Sequence, residues 1–245
     1  MFTPEERDRL RDGLVAAARA DERVTGAALT GSGALGKEDA WSDIDLALAV
    51  AAGAENERIV ADWTARMYRE HGAVHHVDMP WGEVLFRVFL LANTLQVDIA
   101  FWPEGRFGAI GPTFRLLFGS AQERSAMPEP AADGLIGMGW LYALHARSSI
   151  ARGKAWQAEH MISVRDQALA LACLRHGLPT AHGKGIDGLP PEALAGKDGT
   201  LVRSLELPEL KRAFTAAVEF LAGELERSDA ALAGRLGATL RDLAR

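Results

Sequence analysis

The chain has a single cysteine, Cys173, among its 245 residues. No intrachain disulfide can form, and a reducing cytoplasm is the expected setting. No uncharged stretch approaches the ~20 apolar residues of a membrane span, and the opening run MFTPEERDRLRDG has no apolar signal core. Positive charge is in deficit, with 27 Lys and Arg against 33 Asp and Glu and a net charge of −6. That argues against general nucleic-acid binding, which needs a basic stripe or patch. A small phosphate-bearing ligand, needing only local positive charge, stays open. No Cys/His cluster exists for zinc, and there is no internal repeat or low-complexity tract. With 48% hydrophobic and 24% charged residues, the chain reads as soluble and globular, long enough for one large domain or two modest ones.

Local patterns predict an α+β fold. Thr3 as N-cap, Pro4 at the first helical position and two glutamates in the first turn predict a helix over 4–20. Strands are expected at 24–30, 43–50, 73–79, 84–91 and 95–101. Asn93 and Thr94 suit a tight hairpin, so the sheet is at least partly antiparallel. Residues 55–71 form an amphipathic helix with Ile59, Trp63 and Met67 on one face. Residues 31–42 are a Gly-rich turn with room for one turn of helix. The run QERSAMPEPAADG reads as a linker. Helices are expected beyond it at 133–151, 155–176, 207–226 and 229–244, interrupted by a Gly/Pro-rich loop over 177–206. The domains are drawn as 1–128, a mixed sheet with flanking helices, and 129–245, a helical bundle.

The chemistry is concentrated in three carboxylates. Asp43 and Asp45 are two apart in a strand pattern, so both project from one face. Asp98 lies in a second apolar run, LQVDIAF. Acids on apolar strands repel one another and cost energy to desolvate. A divalent cation with a preference for oxygen ligands would relieve both costs. Taken singly, Asp43 could cap a turn and Asp98 could end a strand in a salt bridge.

The preceding turn, GSGALGK, has competing readings. As a P-loop it is one residue short and carries Glu38 where Ser or Thr should hold magnesium. As a dinucleotide fingerprint it lacks the long helix and the acid some twenty residues on. It could also be a plain surface turn. In a fourth reading Gly31 bends the backbone, Ser32 offers a hydroxyl and an amide to a phosphate oxygen, and the next helical turn aims N–H groups at the same point. Gly-Ser, about ten residues, Asp-x-Asp and a distant strand Asp together resemble the nucleotidyltransferase superfamily, which has the fold of DNA polymerase beta, over about residues 24–101. The size and the helical C-terminal part look like the antibiotic nucleotidyltransferases that act on aminoglycosides and lincosamides.

That resemblance implies transfer of NMP, AMP from ATP or the equivalent from another NTP, to a hydroxyl of a small-molecule acceptor such as an aminoglycoside, with release of pyrophosphate. It implies two Mg²⁺ ions about 4 Å apart, both touched by Asp43 and Asp45, with Asp98 helping to hold the second. It also implies a lysine of the helical domain on phosphate, for which Lys154 and, in the loop HGKGIDGLP, Lys184 are candidates. Glu159 would take the proton from the acceptor hydroxyl. Trp156, Glu159, Ser163 and Asp166 share one face of the expected helix, and Arg165 on its apolar side needs a carboxylate partner. Each of these residues also has an ordinary surface or pairing role open to it. Trp81, Phe86, Phe89, Phe101 and Trp102 read as core. No membrane partner is expected, and a homodimer stays open. Two other functions are compatible: a protein-modifying nucleotidyltransferase of the antitoxin type, disfavoured by the large helical part, and a nucleotide-binding module without turnover.

Overall fold

The computed structural model describes residues 1–111, 113–123 and 130–245. Two compact units are present, Met1–Met127 and Pro128–Arg245. Residues 124–129, the middle of the expected linker with the boundary drawn at 128/129, lie outside the described residues.

The first unit is a six-stranded mixed sheet with helices. Its helices are α1 (Pro4–Ala20), α2 (Gly31–Leu35) and α3 (Asn56–Glu70). Its strands are β1 (Val24–Thr30), β2 (Ile44–Val50), β3 (Ala73–Trp81), β4 (Val84–Leu91), β5 (Gln96–Pro103) and β6 (Phe114–Phe118), in the spatial order β3-β4-β5-β2-β1-β6. β2 and β5 run parallel, and the other pairs are antiparallel. α1 starts in a capping box, with the Thr3 hydroxyl accepting from Glu6 N–H at 3.2 Å and the Glu6 carboxylate accepting from Thr3 N–H at 2.8 Å. Thr94 takes φ +72° at the β4–β5 turn, as the tight hairpin requires.

Alternation along the two central strands separates the faces of the sheet. Ile44, Leu46, Leu48, Val97, Ile99 and Phe101 pack into one core with Leu14 of α1 and Ile59, Trp63 and Met67 of α3. The opposite face has Ala28, Ala47, Ala49 and Ala100 under Trp102 and Phe107. β6 was not expected from the sequence. FRLLF is five residues long, and its apolar run does not alternate, so it shows no strand period.

The second unit comprises α4 (Ala132–Ala151), α5 (Ala155–Met161), α6 (Val164–Arg175), α7 (Leu207–Ser228) and α8 (Ala230–Leu243). The single helix expected over 155–176 is a correction: it breaks at Ile162–Ser163. Ile162 and Val164 are both buried. In an unbroken helix they would point about 200° apart, so the break lets both enter one core. Trp156 and Glu159 therefore sit on α5 and Asp166 on α6, not along one continuous face. Glu224 of α7 is fully buried between Arg175 and Arg227. Among the described residues no helix is long and apolar enough to cross a membrane.

What holds the Gly-rich segment to the sheet is a cluster of charges on α1. Arg7, 3% exposed, donates to the Asp39 carbonyl, and Arg11 pairs with Glu38 at 2.8 Å. Replacing Arg7 by Met is expected to cost about 2 kcal/mol, because it removes the buried guanidinium's bond to the Asp39 carbonyl and takes a cation from beside Glu38. Arg11→Met, at a more exposed position, should cost about 1 kcal/mol. Urea unfolding of both variants measures the difference.

Candidate active site

Asp45 and Asp98 are direct partners in the register of the parallel β2–β5 pair. Neighbouring strands stand about 4.8 Å apart, and partnered residues project to the same side. Both acids lie on the alanine-rich face, away from α1 and α3. Asp43 precedes β2 by one residue, so the strand is one residue shorter than expected. The Asp43 carboxylate accepts from the Gln96 amide at 3.1 Å. Gln96 was missed from the sequence, although it lies two residues before Asp98 and so shares its face.

The electrostatics follow from this placement. Burial first, then the charges of Asp45 and Asp43, push the Asp98 carboxyl up to about 7. Its Oδ1 is buried and has no hydrogen-bond partner among the described residues. Two negative neighbours and an orphaned oxygen mark a place where positive charge is wanted.

The Gly-rich turn meets the acids at one point. Gly31 has φ +57°, and a Cβ built there would lie 1.9 Å from Asp45 Oδ2. Only glycine suits both the backbone angle and the close approach. Ser32, half-buried, follows in α2. That helix has five residues, so its dipole is small and the amide-rich turn expected from the sequence is a short one. After it, Asp39 Oδ1 accepts from Trp41 N–H at 2.8 Å and from the Ser42 hydroxyl at 3.1 Å. These bonds, led by the one from Trp41, hold the Asp39 carboxyl below the usual carboxylate range. Glu38, which disqualifies the P-loop reading, is paired with Arg11 and turned toward α1.

The residues expected from the helical part are exposed in the second unit. Lys154 is the N-cap of α5 and Glu159 lies on that helix, while Lys184 follows a 3₁₀ turn over Ala181–Gly183. Arg165 pairs with Asp166 at 2.8 Å. Glu104 accepts from Ala52 N–H at 3.3 Å. Trp102 is buried as expected, whereas Trp81 is 44% exposed and is not core.

Three carboxylates on one face, one with a buried unpaired oxygen, suit a hard divalent cation. Among the described residues no group of three or more Asp, Glu, His or Cys side chains is placed to hold a metal ion as it stands.

No protein-family model matches the chain, and no curated protein matches it. A crystal structure of an aminoglycoside 6-adenyltransferase from Bacillus subtilis aligns over 97% of this chain and 98% of its own, with a TM-score of 0.42 and 11% identity. A likeness at that level says nothing of activity, and the functional argument rests on the site itself.

Two outcomes follow. In the unfolded chain Asp98 ionises near 3.8, and in the folded protein near 7. Between these values the folded state binds more protons, so stability falls as pH rises through that window. In chelator near pH 8.5, Asp98→Asn should be more stable than the parent by roughly 2–4 kcal/mol, the upper figure being the full shift at 1.36 kcal/mol per unit, and the gap should close as pH drops toward 4. Gly31→Ala should lose about 1–2 kcal/mol in thermal unfolding and displace the Asp45 carboxylate.

Proposed function

We propose that the protein is a metal-dependent nucleotidyltransferase that moves NMP, AMP when the donor is ATP, to a hydroxyl of a small-molecule acceptor and releases pyrophosphate. The observation that carries this reading is the in-register pair Asp45–Asp98 with Asp43 beside it, set against the Gly31 turn. Structural acids do not gather on an apolar strand face at the cost of each other's ionisation unless charge is to be bound there.

In the reaction the acceptor oxygen bonds to the α-phosphorus, the bond from that phosphorus to the bridging oxygen breaks, and pyrophosphate leaves with the electron pair. Bound Mg²⁺ would supply positive charge against the negative charge that builds on the phosphoryl oxygens. Asp43, Asp45 and Asp98 are the residues that would hold it. Gln96 keeps the Asp43 carboxylate oriented by its 3.1 Å bond. Gly31 lets chain and phosphate approach, and Ser32 offers its hydroxyl and N–H. The same proposal gives Glu159 the acceptor's proton, and Lys154 and Lys184 contacts to phosphate. An aminoglycoside-type acceptor suits the net charge of −6, since an acidic surface concentrates cations.

Incubation with labelled ATP, Mg²⁺ and a panel of hydroxylated acceptors should release pyrophosphate. Asp45→Ala should lower the rate by at least about a hundredfold while leaving the protein folded. A variant that turns over like the parent overturns the assignment. Triphosphate binding without pyrophosphate under any acceptor would favour the module without turnover.

A further inference from the structure

At the far end of β5 from Gln96, the first unit has a cavity of about 380 Å³ that the nucleotidyl-transfer reading does not use. Trp81 and Trp102 contribute to its wall, with ring centroids 6.0 Å apart at an interplanar angle of 70°. Trp81 ends the edge strand β3 and is 44% exposed, so part of its indole is open to a ligand. Trp102 is 6% exposed, and its indole N–H is buried without an acceptor among the described residues. A donor with no partner in a native interior is rare and calls for an explanation. A wall completed by a bound oxygen supplies one.

The charges around the cavity lean negative. Glu83, Glu123 and Arg106 line it. Arg106 is committed to Glu83 at 2.6 Å, which among the described residues leaves the Glu123 carboxylate to set the sign. The floor is held in place. Gln122 N–H donates to the Phe107 carbonyl at 2.7 Å, and Gly108 bridges to Gln122 so closely that a Cβ there would meet the Gln122 carbonyl oxygen at 2.9 Å. The cavity is therefore built into the backbone.

We propose that this cavity binds an organic ammonium ion with a flat ring and an oxygen acceptor. The indoles would take the ring and the cation's field, Glu123 the charge, and the Trp102 N–H the oxygen. Indole faces attract cations and stack on flat rings. The site is independent of phosphate and of metal, so its test does not depend on the proposed transfer reaction.

Tyramine, which carries all three features, is the probe, titrated calorimetrically in chelator without triphosphate. Phenethylamine, p-cresol and 4-hydroxyphenylacetate remove the oxygen, remove the cation and reverse the charge in turn. Tyramine should bind about tenfold more tightly than p-cresol, phenethylamine more weakly than tyramine, and 4-hydroxyphenylacetate least. Glu123→Gln, a substitution at an exposed position, should erase the advantage of tyramine over p-cresol. Trp81→Ala should weaken tyramine, phenethylamine and p-cresol while leaving the circular dichroism spectrum unchanged. The proposal is overturned if 4-hydroxyphenylacetate binds as well as tyramine, if Glu123→Gln changes nothing, or if tyramine gives no heat at about 10 mM.

Discussion

Two aspartates are locked side by side by the backbone ladder of a parallel strand pair, and neither can be moved away without breaking it. Asp45 and Asp98 share a rung of β2–β5, with strands on both sides. Side-chain rotation can separate their oxygens a little, but the Cα positions are set by hydrogen bonds that also carry the core. The repulsion is built into the fold, and it shows as a carboxyl at position 98 that holds its proton to about 7. A protein is ordinarily free to replace such a residue by Asn or Val at a gain in stability. An acid in this position lowers stability where a neutral side chain of the same size would not.

The surroundings keep that charge in one place. Gly31 leaves no side chain between the turn and Asp45. The segment that follows is pinned from behind, through Arg7 to the Asp39 carbonyl and Arg11 to Glu38, and tied internally by Asp39. These contacts lie outside the acidic cluster, so the positive charge of α1 is spent on the loop and does not neutralise the aspartates. That separation leaves the loop of mostly small and polar residues tied to α1 by charges that do not reach the acids.

Much of this could be read from the residues in advance, and the parts that could not have separate physical causes. α1, β1, β2 and α3 each have a cap, a period or both, and their limits agree with expectation within a residue or two. The Asp-x-Asp spacing was legible because a two-residue period is a local property. The pairing of Asp98 with Asp45 could be anticipated as a neighbourhood but not as a register, since strand order is set by the whole sheet. β6 escaped because five residues of mixed burial have no period, and Gln96 because a neutral amide does not stand out beside three acids. The helix break at Ile162–Ser163 was lost for a different reason. Helical propensity favoured continuity, and only the core of the second unit, which claims both Ile162 and Val164, decided otherwise.

Alternation on the central strands performs two tasks with one pattern. In β2 the residues Ile44, Leu46, Leu48 and Val50 fill the helix-covered core, while Asp45, Ala47 and Ala49 occupy the other face. In β5, Val97, Ile99 and Phe101 face the helices, and Asp98, Ala100 and Trp102 do not. A slip of one residue between the strands would turn acids into the core and isoleucine and valine into the site. The large aliphatic side chains that stabilise the sheet therefore also specify the register that sets Asp45 against Asp98. The alanines beyond the acids are buried under Trp102 and Phe107, a second small core on that face. Core and candidate site are two readings of one strand pairing, so a change that disturbs the first is felt at the second even when no acid is touched.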